Sequence, residues 1–153
     1  MFYTETQFNL IDNIGSNSDN PQIVHILSQH FSNRVLVQLR LNGELDTTYS
    51  VTCQDVTKVL LSEDNNSMEN EYTNDHMSNY QIDTLFGDSN NMQLPIMAAQ
   101  ISELYIKNKL KVSGSESFII MLSSKLLNRE KITDNISLFD ILLKILTNIK
   151  NMY

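Results

Sequence analysis

The chain has 153 residues, of which 41% are hydrophobic, and this length suits one domain that buries its own core. Its 18 acidic and 11 basic residues give a net charge of −7, which argues against nucleic acid and anionic membranes as partners because both attract basic surfaces. Cys53 is the only cysteine, so an internal disulfide is excluded and a reducing compartment is expected. The first ten residues do not resemble a signal peptide, and no apolar run approaches the roughly 20 residues that span a bilayer. We therefore expect a single domain, residues 1–153, in the cytoplasm, with the nucleus as a further location.

The first third of the chain predicts an antiparallel β-meander. Residues 2–10 suggest an opening strand, and residues 22–30 suggest an apolar strand that begins after Pro21. Residues 34–41 alternate clearly between two faces, which is the pattern of a strand. One face carries Val35, Val37, Leu39 and Leu41, and the other carries Leu36, Gln38 and Arg40. Asn42-Gly43 then favours a tight hairpin, because both central residues of such a turn need positive φ, and residues 47–52 form the returning strand.

The middle of the chain is dominated by an acidic segment. Weak strand signals at residues 56–61 and 81–86 flank it, and the chain has no Lys or Arg between Lys58 and Lys107. Residues 62–80 are rich in Asn and Ser and poor in aliphatic side chains, which predicts a long solvated loop. Loops of this length are usually functional or disordered, so a tolerated insertion and a binding loop are both open interpretations.

Helical periodicity begins near Pro95, which we place at the first position of a helix, where its missing N–H has no intrahelical partner to lose. The helix should run for about four turns with one apolar face. Residues 117–123 follow as a short apolar run, which is typical of a buried central strand.

The last predicted element is an amphipathic helix. Ser137 and Asp140 have the spacing of a capping box. A continuous stripe at helical spacing follows, made of Leu138, Ile141, Leu142, Ile145, Leu146 and Ile149. Phe139 and Leu143 make this stripe wider than one sheet face needs.

Strands first and helices late predict an α+β fold, with a mostly antiparallel β-sheet or sandwich and two main helices, the second of them C-terminal. Two helices can cover one face of such a sheet. Residues 117–123 are apolar on both faces and residues 22–30 nearly so, whereas a one-sided antiparallel sheet should alternate. The second face therefore needs an apolar cover, either the sheet folded over itself or a second polypeptide, which favours a dimer.

The sequence offers no constellation for catalysis. His25 and His30 are five residues apart on a predicted strand, so they point to opposite faces and cannot chelate one ion. His76 lies beside Asp75 in the acidic segment, whose composition argues against an ordered metal site. Cys53 lies in a β-rich segment and is expected to be a small core residue. Phosphate-binding glycine loops and the common hydrolase and metal-binding motifs do not occur, so we expect a non-enzyme that needs no cofactor or metal.

The order of elements resembles the proteasome assembly chaperone 3 family, whose members are small chaperones that help to build the α-ring of the 20S core particle. The resemblance covers roughly residues 21–153 and is one of pattern and order. It is carried by the strands at 22–27 and 34–41, Gly43 and the returning strand at 49–51. It continues in the string Thr84-Leu85-Phe86-Gly87-Asp88, in Leu94-Pro95-Ile96, and in the segments 118–123 and 137–153. The long acidic segment departs from the animal pattern and suggests a fungal or protist member.

The resemblance implies a non-catalytic subunit that dimerises, binds a proteasome α-subunit during α-ring assembly and leaves before maturation. Its partner would be a second small assembly chaperone, with a heterodimer favoured over a homodimer. For the partner surface we predict Leu36, Gln38 and Arg40. For the client surface we predict the acidic loop, with Glu63, Asp64, Glu69 and Glu71, which would steer association with a basic patch. The alternative is a small dimeric scaffold subunit of the roadblock or longin kind in a trafficking or signalling complex. Roadblock-type chains open with a helix, and no helical pattern precedes residue 22.

Overall fold

The computed structural model describes residues 2–10, 21–61, 76–110, 117–127 and 137–153. These parts of the chain form six strands, namely β1 (Phe2–Asn9), β2 (Ile23–His30), β3 (Val35–Leu41), β4 (Thr47–Cys53), β5 (Tyr80–Phe86) and β6 (Ser117–Leu122). They also form the helices α1 (Val56–Leu61), α2 (Gln93–Lys107) and α3 (Leu138–Asn151), and short 3-10 helices at His76–Asn79 and Ser124–Leu127. None of the described helices is long and apolar enough to cross a membrane.

The strands make one sheet in the order β1-β2-β3-β6-β4-β5, antiparallel throughout except for the parallel pair β3 and β6. The predicted meander holds for β1 to β3, but β4 does not pair with β3 as expected. Asn42 and Gly43 do form the predicted tight turn with φ of 51° and 84°. This turn closes only one bridge, Leu41 to Glu44, before the chain diverges and β6 enters between the two strands. A strand that is apolar on both faces is best buried in the middle of a sheet, which explains why β6 takes that place.

Helices cover one face of the sheet, so the mixed α+β fold predicted from the sequence is confirmed, and the six strands form a single sheet in place of the sandwich alternative. Every second residue of β2, β3, β4 and β6 points into the resulting core. Its largest fully buried side chains are Tyr49, Tyr105, Phe118, Ile26, Leu39, Leu94, Ile101, Ile106, Ile120, Leu122, Leu126 and Ile141.

Three local predictions need correction. Residues 56–61, predicted as a strand, form α1, because the Asp55 side chain accepts a hydrogen bond from Lys58 N at 3.1 Å and caps the first turn. Pro95 is the third residue of α2, not the first, and Pro is tolerated there because the first four N–H groups of a helix lack intrahelical acceptors. Residues 76–79 of the predicted acidic loop form a 3-10 helix, while residues 62–75 lie outside the described part of the chain.

The capping box of α3 is confirmed. Ser137 Oγ accepts a hydrogen bond from Asp140 N at 3.1 Å, and the Asp140 carboxylate accepts one from Ser137 N at 3.0 Å. Hydrogen bonds from the Ser137 side chain and backbone lower the pKa of the Asp140 carboxyl. The apolar stripe of the helix then buries Ile141, Ile145 and Ile149 in the core.

A polar cluster of three buried residues, Ser28, His30 and Tyr105, together with the partly exposed Tyr153, ties the chain after α3 to the sheet. Tyr105 donates a hydrogen bond to Ser28 Oγ at 2.8 Å, and the Tyr153 hydroxyl reaches the same oxygen at 3.0 Å. Tyr153 also hydrogen-bonds His30 Nε2, which lies 3.3 Å from Ser28 Oγ. Burial lowers the pKa of His30 and raises the pKa of Tyr105, so both groups are held neutral. This cluster fixes the helix layer against β2.

Candidate protein-binding surface

The sheet has one face that no described helix covers, called the open face below. The strand registers align its side chains in two rows that cross all six strands. One row consists of Glu5, Leu27, Gln38, Met121, Thr48 and Phe86. The other consists of Tyr3, Gln29, Leu36, Ile119, Ser50 and Asp83.

Most side chains in the middle of the open face are apolar, with Gln38 between Leu27 and Met121 as a polar exception, and polar side chains lie around them. The apolar centre consists of Leu27, Leu36, Ile119 and Met121, each partly buried by its neighbours within the sheet. Two aromatic side chains lie further out on the edge strands, Tyr3 with 61% and Phe86 with 68% of its surface exposed. An apolar centre with a polar rim and peripheral aromatic residues is the composition of a protein–protein interface.

The three residues predicted to contact a partner lie in line on β3 and belong to the open face. Leu36 is in the apolar centre, and Gln38 Oε1 accepts a hydrogen bond from Arg40 Nη2 at 2.8 Å. Arg40 Nε is buried and has no hydrogen-bond partner among the described residues. The structure thus brings the three side chains together on an uncovered surface, and their contact with a partner stays a prediction.

The four predicted client-binding residues, Glu63, Asp64, Glu69 and Glu71, lie outside the described residues, so their role stays a prediction as well.

A smaller apolar groove lies on the helix layer. Phe139 and Leu143, which widened the apolar stripe of the last helix, are 68% and 52% exposed there. The groove has a volume of about 170 Å³ and is lined by Gln93, Ile96, Met97, Leu127, Leu138, Phe139 and Leu142. This groove is small compared with the open face, which spans six strands.

The described residues contain no group of three or more His, Cys, Asp or Glu side chains that could hold a metal ion. His25 belongs to the open face and His30 to the core, so the two histidines do point to opposite faces. Cys53 is buried in the core, as expected.

Burial and hydrogen bonding explain the perturbed pKa values of three further side chains, Tyr49, Tyr80 and Asp46. Burial raises the pKa of Tyr49 and Tyr80. Burial also opposes ionisation of Asp46, but hydrogen bonds from Ser124 and Thr47 outweigh it and lower the pKa of that carboxyl. Asp46 accepts from Ser124 N at 2.7 Å and so anchors the 3-10 helix that follows β6. None of these groups meets a second perturbed group in the geometry of a nucleophile and its base.

Sequence reasoning missed most of the apolar centre, namely Leu27, Ile119 and Met121. Residues 117–123 were recognised as apolar on both faces, and this pattern could have assigned Ile119 and Met121 to the second face of the sheet. Which of those side chains join Leu36 depends on the pairing of β3 with β6, and these strands are far apart in the sequence.

Three comparisons with known proteins agree with one another. Residues 1–150 match the model of a family described as 20S proteasome chaperone assembly proteins 3 and 4. The chain is 33% identical over 162 residues to proteasome chaperone 3 of Saccharomyces cerevisiae, covering 92% of this chain and 89% of the relative. It also matches a chain in the crystal structure of a chaperone complex for yeast 20S proteasome assembly, with a TM-score of 0.69 and 32% identity. That match covers 100% of this chain and 99% of the solved one.

Proposed function

This chain belongs to the family of 20S proteasome chaperone assembly proteins 3 and 4, and we propose that it acts in 20S assembly as one half of a pair of small chaperones. The assembly role follows from the family. The observation that carries the pairing is the open face, whose apolar centre lies on the interior strands β2, β3 and β6. Docking a second chain there removes this apolar surface from water, which is the main driving force of association.

The open face is large enough for a stable interface. Six strands spaced about 4.8 Å apart, with about seven residues each at about 3.3 Å, give a flat footprint of roughly 24 by 23 Å, or about 550 Å². Side chains corrugate this surface, so its accessible area approaches the roughly 800 Å² per partner that standard interfaces bury. A partner that covers the whole face therefore needs no further contact area.

The partner is a second small assembly chaperone, in a heterodimer in preference to a homodimer. Support comes from the solved structure that this chain matches, which is described as a chaperone complex for yeast 20S proteasome assembly. A related chaperone of the same fold would present its own uncovered sheet, and two such sheets can pack face to face at about 10 Å. A scaffold subunit of the roadblock or longin kind is the less favoured alternative, since the family model that matches residues 1–150 describes proteasome chaperone assembly proteins.

The pair binds an α-subunit of the core particle, and the acidic side chains Glu63, Asp64, Glu69 and Glu71 supply part of that contact. Support comes from charge, since the chain has a net charge of −7 and no Lys or Arg between Lys58 and Lys107. Long-range attraction of this kind accelerates association and is screened by salt. The association rate with a purified α-subunit should therefore fall as salt is raised from 50 to 500 mM, and a salt-independent rate would contradict the role of these side chains.

The protein acts by binding and not by catalysis, in the cytoplasm and, as a further location, in the nucleus. Support comes from the place of the perturbed groups: His30 and Tyr105, which share one cluster, are buried in the core and do not line an open cleft, where catalytic groups are expected.

Affinity purification of the tagged chain from its own cells, with identification of the bound proteins by mass spectrometry, tests this function. We expect proteasome α-subunits and a second small chaperone to be recovered without the proteolytic activity of mature particles. Recovery of vesicle or signalling components in their place would contradict the assembly role and favour a scaffold.

A further inference from the structure

Arg40 is the only charged side chain that the two central strands, β3 and β6, present on the open face. Its guanidinium carries a positive charge and offers five N–H donors. One of them is satisfied by the neutral amide of Gln38, while Nε is buried without an acceptor among the described residues. A partly buried cation in this position is short of hydrogen-bond acceptors and lacks a counter-charge.

The open face of this chain does not supply that counter-charge. His25 lies directly opposite Arg40 on β2, and the Glu5 carboxylate is 3.6 Å from His25 Nε2. Asp83 lies across the sheet on the edge strand β5, where it accepts a hydrogen bond from Gln81 at 3.1 Å. In the described part of the chain, no carboxylate forms an ion pair with Arg40.

A second copy of this chain would not supply it either. In a symmetric dimer packed face to face, the two-fold axis lies in the plane between the sheets. When the two sheets are centred on each other, an axis along the strands puts β3 over β6 of the other copy, and an axis across the strands puts β3 over β3. The open-face side chains of these two strands are Leu36, Gln38, Arg40, Ser117, Ile119 and Met121, which include no carboxylate. Self-pairing would bury the guanidinium without a counter-charge, which is costly.

We propose that Arg40 selects the partner chaperone by binding an Asp or Glu side chain that the partner presents on its own sheet face. Arg and carboxylate match in a two-pronged, charge-assisted hydrogen bond, which supplies geometric specificity as well as affinity. Gln38 holds the guanidinium along β3 and so positions it for this contact. The inference rests on the proposed pairing through the open face, and it adds the chemistry by which the second chaperone is distinguished from a second copy of this chain.

Binding of the purified second chaperone, identified by the affinity purification, tests the proposal through three variants. Arg40→Gln removes the charge and should raise Kd by about 30-fold or more, the range found when one member of a buried ion pair is truncated. Arg40→Lys keeps the charge but loses the planar fork, so an intermediate loss is expected. Lys150→Gln removes one positive charge from an exposed position on α3 and should leave Kd unchanged. Wild-type affinity of Arg40→Gln would overturn the proposal.

Two further measurements separate this proposal from the pairing on which it rests. Arg40→Glu should lose binding and regain it when one Asp or Glu on the sheet face of the partner is changed to Arg, whereas failure of every such reversal would overturn the proposal. Leu36→Asp disrupts the apolar centre, and its effect on binding does not depend on the contact made by Arg40. If Leu36→Asp abolishes binding while Arg40→Gln does not, the proposed role of Arg40 is wrong but the pairing through the open face stands. If Leu36→Asp also binds normally, the open face is not the interface.

Discussion

The polar cluster at the end of α3 makes Tyr153 a sharp probe of how the helix layer is held. The hydroxyl of Tyr153 lies 3.0 Å from Ser28 Oγ and also hydrogen-bonds His30 Nε2. Tyr153→Phe removes both of these hydrogen bonds, each worth about 1 kcal/mol net. We therefore expect the free energy of unfolding to fall by about 2 kcal/mol.

Thermal unfolding followed by circular dichroism measures this effect. In a domain of this size, each kcal/mol shifts Tm by roughly 2–4 °C, so Tyr153→Phe should lower Tm by about 4–8 °C. Urea unfolding should show the same loss as a lower midpoint with an unchanged slope.

The same chemical change at Tyr49 provides a control with a different expected result. Tyr49 is fully buried, and its hydroxyl has no hydrogen-bond partner among the described residues. Tyr49→Phe removes a desolvated group that gains nothing in the folded state, so Tm should stay the same or rise. Equal losses in the two variants would refute the reasoning, because stability would then depend on the presence of a hydroxyl and not on its hydrogen bonds.

Three further predictions concern local features of the fold. Ser137→Ala should lower the free energy of unfolding by about 1 kcal/mol, because it removes the capping box of α3, and urea unfolding measures the loss. Gly87→Ala should cost about 1–3 kcal/mol more than Gly43→Ala in the same assay. Both glycines have positive φ, but a Cβ at Gly87 would lie 2.8 Å from Thr47 Oγ1, whereas one at Gly43 meets nothing within 4 Å. Burial lowers the pKa of His30, so the unfolded chain takes up a proton below about pH 6.5 that the folded chain excludes. Below that pH, protonation of His30 should lower the free energy of unfolding by at most about 1.4 kcal/mol per pH unit. In His30→Gln, the free energy of unfolding should lack this part of its dependence on pH.

Local patterns predicted the parts of the fold that local interactions determine. The alternation of β3, the Asn42-Gly43 turn and the capping box at Ser137 each depend on residues within a few positions of one another, and all three are present. The apolar stripe of α3 predicted its buried face for the same reason. The two-sided apolarity of residues 117–123 also predicted a central strand, and it indicated that the sheet has a face without a helix.

Long-range pairing was the part that the sequence did not disclose. Nothing within residues 34–52 signals that β6 enters between β3 and β4, because that choice depends on how well β6 is buried in the centre of the sheet. Residues 56–61 illustrate the weakness of short segments, since Val56 and Val59 suit a strand and a helix equally and the capping side chain of Asp55 decides between them. The predicted partner residues on β3 were found because alternation alone separates the two faces of one strand. Their neighbours on other strands need the register of the sheet.

The central claim is that the open face is the surface through which this chain pairs with a second assembly chaperone. Native mass spectrometry of the chain co-expressed with that chaperone tests it most directly, with Leu36→Asp on the open face compared with Leu143→Asp on the exposed side of α3. Both variants make the same chemical change, and circular dichroism establishes that each is folded. We predict that the wild type and Leu143→Asp give the mass of the pair, while Leu36→Asp gives only the separate chains. A pair that survives Leu36→Asp but is lost in Leu143→Asp would contradict the account and place the interface on the helix layer.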